Sequence, residues 1–548
     1  MYHAILSGAF HGMDIFLVQV EADVSNGIPC MEMVGCLASE VKETKERVRV
    51  GIKNSGYEMP VKRITISLSP ADIRKDGSGF DLPVALGILG ASLLEEDDQG
   101  ENNSTLYKDK ISNVIVMGEL GLNGEVKGVR GILPVLLKAA EEKITSCIIP
   151  FDNRLEASNV KGMRIHAVKN LQEAFGAYCV ITKELYARAE EFCVEITTSR
   201  DRSDMSVIAC VNSKENMKQA SDDKKTVDFS QVYGQEHAKR AAMIAAAGFH
   251  NLLLFGPPGS GKSMIAERIP TIMPNMCYEE CMELTKIYSV AGQLNNKISL
   301  VTERPFLSPH HTVTDSALVG GGSVPKPGII TLAHKGVLFL DELPEFGRTK
   351  LDLLRQPLEE KRVQISRMQY TCNYAADFML VAAMNPCPCG FYPDRNKCNC
   401  RPYEIERYLN HISGPLLDRI DLSVEVGRMK WEQIFKSQDA EQTRRYTDSA
   451  SMKQQVCDAI ARQIDRAGKY NSALTGDEIE RYCMMTREAE LFLRRFFEKM
   501  GLSVRSLLRI KKVARTIADL EGEEIISQIH ISEAIMMNKG LERLKRKK

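Results

Sequence analysis

Gly256-Pro257-Pro258-Gly259-Ser260-Gly261-Lys262-Ser263 has the spacing G-x-x-x-x-G-K-[ST] in full. Glycines there let backbone N–H groups turn inward around phosphate oxygens, and a helix starting near Ser263 would add the positive end of its dipole. Lys262 would reach the β- and γ-phosphates of a nucleotide, and the Ser263 hydroxyl would ligate Mg²⁺. Gly336-Val337-Leu338-Phe339-Leu340-Asp341-Glu342 is an apolar run ending in two acids. Asp341 would hold the Mg²⁺ through water, and Glu342 would polarise an attacking water as general base. Leu380 to Asn385 is a second such run, and Asn385 could orient the same water. The implied chemistry is cleavage of a γ-phosphate. Guanine is disfavoured as the base, because the three Asn-Lys pairs continue as Ile298, Cys398 and Gly540 and none makes N-K-x-D.

Two arginines extend the set. Arg419, in Gly414-Pro415-Leu416-Leu417-Asp418-Arg419-Ile420-Asp421, follows a short predicted helix and can point across a subunit boundary at a neighbour's γ-phosphate. Arg505, in Gly501-Leu502-Ser503-Val504-Arg505, opens another helix and can reach the same phosphate in cis. Spacing alone reads each as a surface ion pair, and only the company of the phosphate loop raises them. Cys387-Pro388-Cys389 and Cys398-Asn399-Cys400 bracket eight residues. Four thiolates could close a tetrahedral Zn²⁺ site, though C-x-C is tighter than the usual C-x₂-C, and reduced loop cysteines are the alternative. His310 and His311 are not assigned as ligands, since adjacent histidines cannot easily face one metal.

These residues need elements to carry them. Asn251 to Phe255 is an apolar strand ahead of the phosphate loop, preceded by a helix over Ala238 to Ala247, so the region from Asp228 reads as α/β. Beyond about residue 428 amphipathic helices take over; Leu507, Leu508, Val513, Ala514, Ile517 and Leu520 recur near helical spacing. Residues 1 to about 180 read as α+β: strands at Arg63–Leu68 and Val114–Leu120, helices at Leu82–Leu94 and from Ile132 to Ala140. Residues 181–226 read as a linker, charged and Ser-bearing above all after 196. The tail Arg543-Leu544-Lys545-Arg546-Lys547-Lys548 reads as a solvated helix end or a nucleic-acid contact.

The 548 residues carry 72 Lys+Arg and 72 Asp+Glu, a balance that excludes a uniformly basic nucleic-acid coat but not local patches. With 44% hydrophobic and 26% charged residues the chain is of ordinary globular composition, long enough for roughly three or four domain-sized units. No apolar stretch of about 18 residues is present and the first residues lack a signal-peptide pattern, so no membrane partner and a cytoplasmic location are expected. The odd count of 15 cysteines fits reduced thiols there.

The order of these motifs resembles an AAA+ ATPase, and their wording resembles the YifB/ComM family of magnesium-chelatase-like AAA+ proteins. Asp228 to Gln235 looks like that family's segment that closes over adenine. Arg304 to Thr312 and Leu318 to Gly322 are similar to its insertion within the second helix, and Gln356 to Arg367 to its hairpin. The resemblance implies ATP and Mg²⁺ as cofactors, a homo-hexameric ring whose lumen is lined by insertion and hairpin, and DNA branch migration during natural transformation, beside recombination proteins. Lys361, Arg362 and Arg367 around Val363-Gln364-Ile365 could track phosphates, or be ordinary surface charge. Arg74 to Asp81 and Met117 to Val126 look like the Lon-protease fold. That alignment puts Gly79 at the nucleophile position, with Ser78 one residue away, and Leu133 at the lysine position, which implies a structural or interaction platform. The expected organisation is therefore multidomain α/β. A Lon-protease-like α+β domain spans 1–180, a linker 181–226, an AAA+ P-loop core 227–428 and a helical lid 429–548. A chelatase motor or a protein-remodelling ATPase is the rival reading.

Overall fold

Strands buried on both faces must be apolar at every position, whereas strands with one buried face alternate. Both kinds occur in the computed structural model, which describes residues 1–97, 113–182, 227–294, 298–322, 325–366, 371–394, 396–428 and 448–538. The expected linker beyond Thr182, Arg367 and the basic tail lie outside the described residues.

The N-terminal sheet has seven strands. Its members are β1 (Tyr2–His11), β2 (Asp14–Ser25), β3 (Cys30–Val34), β4 (Arg63–Ser69), β5 (Val114–Val116), β8 (Ser146–Pro150) and β9 (Arg164–Val168), in the order β3-β4-β2-β1-β5-β8-β9. β4 alternates buried and half-exposed residues as its sequence predicts. The predicted strand Val114–Leu120 is broken. β5 stops at Val116, and Glu119–Leu120 (β6) turns away to pair with Val126–Lys127 (β7). At the break the Gly118 backbone bonds elsewhere: its N–H donates to Gly79 O at 3.0 Å and its carbonyl accepts from Leu82 N at 3.0 Å. Helices Asp81–Asp97, Ile132–Glu141 and Leu171–Thr182 cover the sheet with apolar residues.

The central sheet is wholly parallel, in the order β11-β14-β17-β10-β18. Its strands are β10 (Leu252–Phe255), β11 (Phe306–Leu307), β14 (Val337–Leu340), β17 (Met379–Met384) and β18 (Leu422–Glu425). β10, β14 and β17 are buried at every residue. Two antiparallel pairs stand outside it, β12 (Gly320–Gly321) with β13 (Lys326–Pro327) and β15 (Arg362–Ser366) with β16 (Thr371–Ala375). Among the described residues from 448 to 538 five α-helices follow one another, from Ser449–Ala467 to Gln528–Asn538, and their inner residues Val456, Val513 and Ile517 share one core with Leu252, Val381 and Val424. Among the described residues no helix is long and apolar enough to cross a membrane.

Candidate nucleotide site

Register delivers the polar residues to one edge. Phe255 pairs with Met384, so Gly256 and Asn385 leave the sheet side by side; Leu340 pairs with Ala382, so Asp341 and Glu342 leave beside them. This is the carboxyl end of parallel strands, where open α/β sheets bind ligands. The phosphate loop then turns into helix Lys262–Ile272, with Gly259 at φ +73° and Gly261 at φ +91°. Apart from its own chain neighbours, a Cβ built at either glycine would meet no atom within 4 Å, so open space adjoins the turn at both.

Lys262 is buried, and its ammonium donates to the carbonyls of Gly256 (2.8 Å) and Pro257 (3.0 Å) and to Asn385 Oδ1 (3.2 Å). Burial lowers its pKa, against the pull of Asp341 and Glu342. Ser263 Oγ donates to Asp341 Oδ2 at 2.9 Å. Asp341 Oδ1 in turn accepts from the Glu342 amide at 2.9 Å, and Glu342 itself stands at φ +52°. The donor set suits a triphosphate and Mg²⁺: a buried ammonium under a glycine-rich turn, with hydroxyl and carboxylate oxygens adjoining. Ser260 Oγ is buried without a hydrogen-bond partner, a polar atom left over for a ligand. Gln235, at φ +58°, bridges the loop to the end of β18 through Gly427 O (2.7 Å) and Ser260 O (3.4 Å).

The two arginines meet on a residue that the sequence did not single out. Arg419 Nη2 lies 2.5 Å from Glu359 Oε1, and Arg505 Nη2 pairs with the same oxygen. Glu359 sits in helix Arg355–Glu360, just ahead of β15. His311 was likewise unassigned; its Nδ1 stands 3.9 Å from Glu342 Oε2. Neither pair had a signal in spacing, because each joins segments far apart in the chain.

The cysteines converge. Sγ of Cys387, Cys389, Cys398 and Cys400 all lie within 4.8 Å of one another, with separations of 3.3, 3.6 and 3.8 Å among the first three. Four sulfurs around one Zn²⁺ at Zn–S ≈ 2.3 Å stand about 3.8 Å apart, so the donor set fits that ion. Burial pushes the Cys387 thiol up, whereas Cys389 is drawn down, its own desolvation outweighed by the Phe391 amide and the neighbouring thiols. The same loop touches the phosphate loop. Gly390, at φ +81°, has room for no side chain, since a Cβ there would lie 2.5 Å from Pro258 Cδ.

On the hairpin, Lys361 is paired with Asp377 at 2.7 Å and Arg362 with Glu360 at 3.0 Å, so a phosphate would have to displace an acid from each. In the first domain Leu133 is fully buried, the backbone of Gly79 has Met117 Cε beside it, and Ser78 donates to Glu119. Lys75, three residues before Ser78, is buried and its ammonium donates to Pro70 O.

Three family models match in succession: "Subunit ChlI of Mg-chelatase" over residues 20–153, "Magnesium chelatase, subunit ChlI" over 228–434 and "Magnesium chelatase, subunit ChlI C-terminal" over 446–538. The chain is 40% identical over 533 residues to competence protein ComM of Haemophilus influenzae, covering 97% of this chain and 96% of that one. It is 39% identical to the uncharacterized protein YifB of Escherichia coli over 521 residues, 94% and 93% of the two chains. The magnesium-chelatase 38 kDa subunit of Acidiphilium rubrum is 23% identical over 326 residues, 55% of this chain and 87% of that one. Similarity of this extent, from the first sheet to the last helices, makes the chain a member of the YifB/ComM family of magnesium-chelatase-like proteins.

Proposed function

We propose that this protein is an ATP-hydrolysing AAA+ motor that works on DNA as a homo-hexameric ring, driving branch migration in recombination and natural transformation. The observation that carries the ATPase reading is the meeting of Lys262, Ser263, Asp341 and Asn385 at one sheet edge. Membership beside a protein named for competence supports the DNA reading.

The chain's own groups divide the work. Lys262 exchanges the carbonyls of Gly256 and Pro257 for phosphate oxygens, and the open amides of the glycine turn complete the cradle. Ser263 and Asp341 would hold Mg²⁺, which offsets phosphate charge. Glu342 takes a proton from the attacking water while Asn385 orients it. Arg419 acts on the phosphate of a neighbouring copy, and Arg505 joins it there rather than acting in cis, a placement supported by their shared contact on Glu359. Residues 1–180 form a Lon-protease-like platform without proteolysis, joined through 181–226 to the ATPase core at 227–428 and the lid at 429–548. The four cysteines hold a structural Zn²⁺.

ATPase activity measured without DNA, with single strands, with duplex and with a four-way junction tests the proposal. Stimulation by the junction, together with strand exchange, is expected; a rate indifferent to all four would overturn the DNA motor. A partner-remodelling ATPase is the second reading, favoured by the three chelatase-model matches. It expects stimulation by a client protein instead.

A further inference from the structure

Glu359 has two positive partners on a single oxygen. Arg419 Nη2 and Arg505 Nη2 both meet Oε1. The guanidinium of Arg419 is otherwise fixed from behind: Nη1 donates to Pro415 O at 2.5 Å, and its side chain is only 11% exposed. Its Nε is buried with no hydrogen-bond partner, so one donor of the fork is left over. The backbone beneath is clamped as well. Asn251 Nδ2 donates to Arg419 O at 2.8 Å, and Arg509, one turn after Arg505 in helix Val504–Glu521, donates to Ile420 O at 2.7 Å and faces Asp418 at 3.6 Å.

The result is a built anion site. Three arginines face two acids, and the acid at the focus is a carboxylate that presents one oxygen to two forks. A terminal phosphate offers more oxygens and more charge to the same donors, and a fork left with a spare N–H can use them. The carboxylate is well fitted to its present place, since the hydrogen bond from Arg419 holds it below the usual carboxylate range. Glu359 is also the more yielding member. It is 43% exposed, against 11% for Arg419, and it lies two residues before Lys361, where the chain turns at φ +56° into the β15–β16 hairpin.

We propose that Glu359 is a positioning residue: it holds Arg419 and Arg505 one anion's width apart in the lone chain and is displaced by the terminal phosphate of the nucleotide bound to a second copy. This rests on the reading of the shared ATPase pocket. Assembly must then break Glu359's two ion pairs, so the carboxylate opposes association while keeping the arginines preset. Removing its charge favours the ring without touching chemistry in the assembled site.

Glu359→Gln, which keeps shape and loses charge, is compared with Glu359→Asp and the unaltered full chain. ATPase rate per chain is followed against protein concentration at saturating ATP, beside particle size by sedimentation. The Gln variant is expected to reach half-maximal rate at a concentration roughly three- to tenfold lower, with the same plateau and thermal midpoint. The Asp variant should stay near the unaltered chain. Coincident curves for the Gln variant and the unaltered chain would reduce Glu359 to a surface ion pair and overturn the proposal. A lost plateau at an unchanged thermal midpoint would also overturn it, by making the carboxylate a working part of the assembled site. Arg419→Ala separates the two ideas: full turnover in that variant sinks the shared pocket itself, whatever Glu359 does.

Discussion

On the proposed reading nucleotide affinity turns on Lys262, and its present contacts say how. Two carbonyls of its own loop and Asn385 compensate an ammonium that burial would otherwise penalise. Phosphate oxygens replace those partners without further desolvation, so Lys262→Ala is expected to weaken ATP binding roughly 10- to 100-fold, read by calorimetry or a fluorescent nucleotide. Glu342 is a different case. Its backbone is pinned by Asp341 while its side chain, near His311, remains 56% exposed. Glu342→Gln should therefore bind ATP normally and turn it over roughly 10²- to 10⁴-fold more slowly. Rapid turnover in that variant would remove Glu342 from the role of base.

At the scale of elements, the phosphate loop is wedged between two neighbours. A Cβ at Gly256 would meet Val426 O at 2.1 Å, and one at Gly390 would meet Pro258. Gly390→Ala should thus retain zinc yet lower ATP affinity, with metal content and nucleotide binding measured on the same sample. Cys398→Ser should lose the metal, and protein prepared without chelators should carry about one zinc per chain. Absence of zinc from that preparation would leave a loop of reduced thiols. The C-terminal helices depend on a buried network. Asp519, 1% exposed, accepts from Arg466 through both carboxylate oxygens at 2.7 Å each, from Asn471 at 2.8 Å and faces Arg515 at 3.1 Å. Asp519→Ala leaves two guanidiniums short of their counter-charge, one of them fully buried, and is expected to lower stability by about 3–5 kcal/mol, read as a fall in the thermal midpoint.

At the scale of the molecule, the N-terminal sheet and its helices rest against the region of the central sheet through several contacts. The β1–β2 turn at Gly12 lies against Cys372 and Tyr374 of β16. Elsewhere Ser289 Oγ donates to buried Glu156 at 2.8 Å, and Gly131 N to Ser289 O at 3.1 Å. Movement of the hairpin would therefore be felt by the first domain directly. Between copies the expectation is complementation. Arg419→Ala should bind ATP yet lose roughly 10³-fold or more in turnover. Mixed with Lys262→Ala chains, it should recover some, because one interface in the mixture then has both an intact loop and an intact arginine. No recovery at any mixing ratio would argue against an arginine supplied by the neighbour.

The phosphate loop, the acid pair after β14 and the cysteine pairs were legible in the sequence because each is a local pattern: a fixed spacing beside an apolar run whose burial is dictated by composition. The same holds for the helix Val504–Glu521 and the alternation of β4. The break after Val116 was not legible, since the Gly118 backbone there bonds to Gly79 and Leu82, well before it in the chain. Nor was Glu359, a surface-like acid in a charged stretch until two arginines 60 and 146 residues away arrive on one of its oxygens. Local spacing fixes which groups are carried and on what element. Strand order and register decide which of them meet, because contacts between distant segments are set by the closing of the whole core rather than by any segment's own preference.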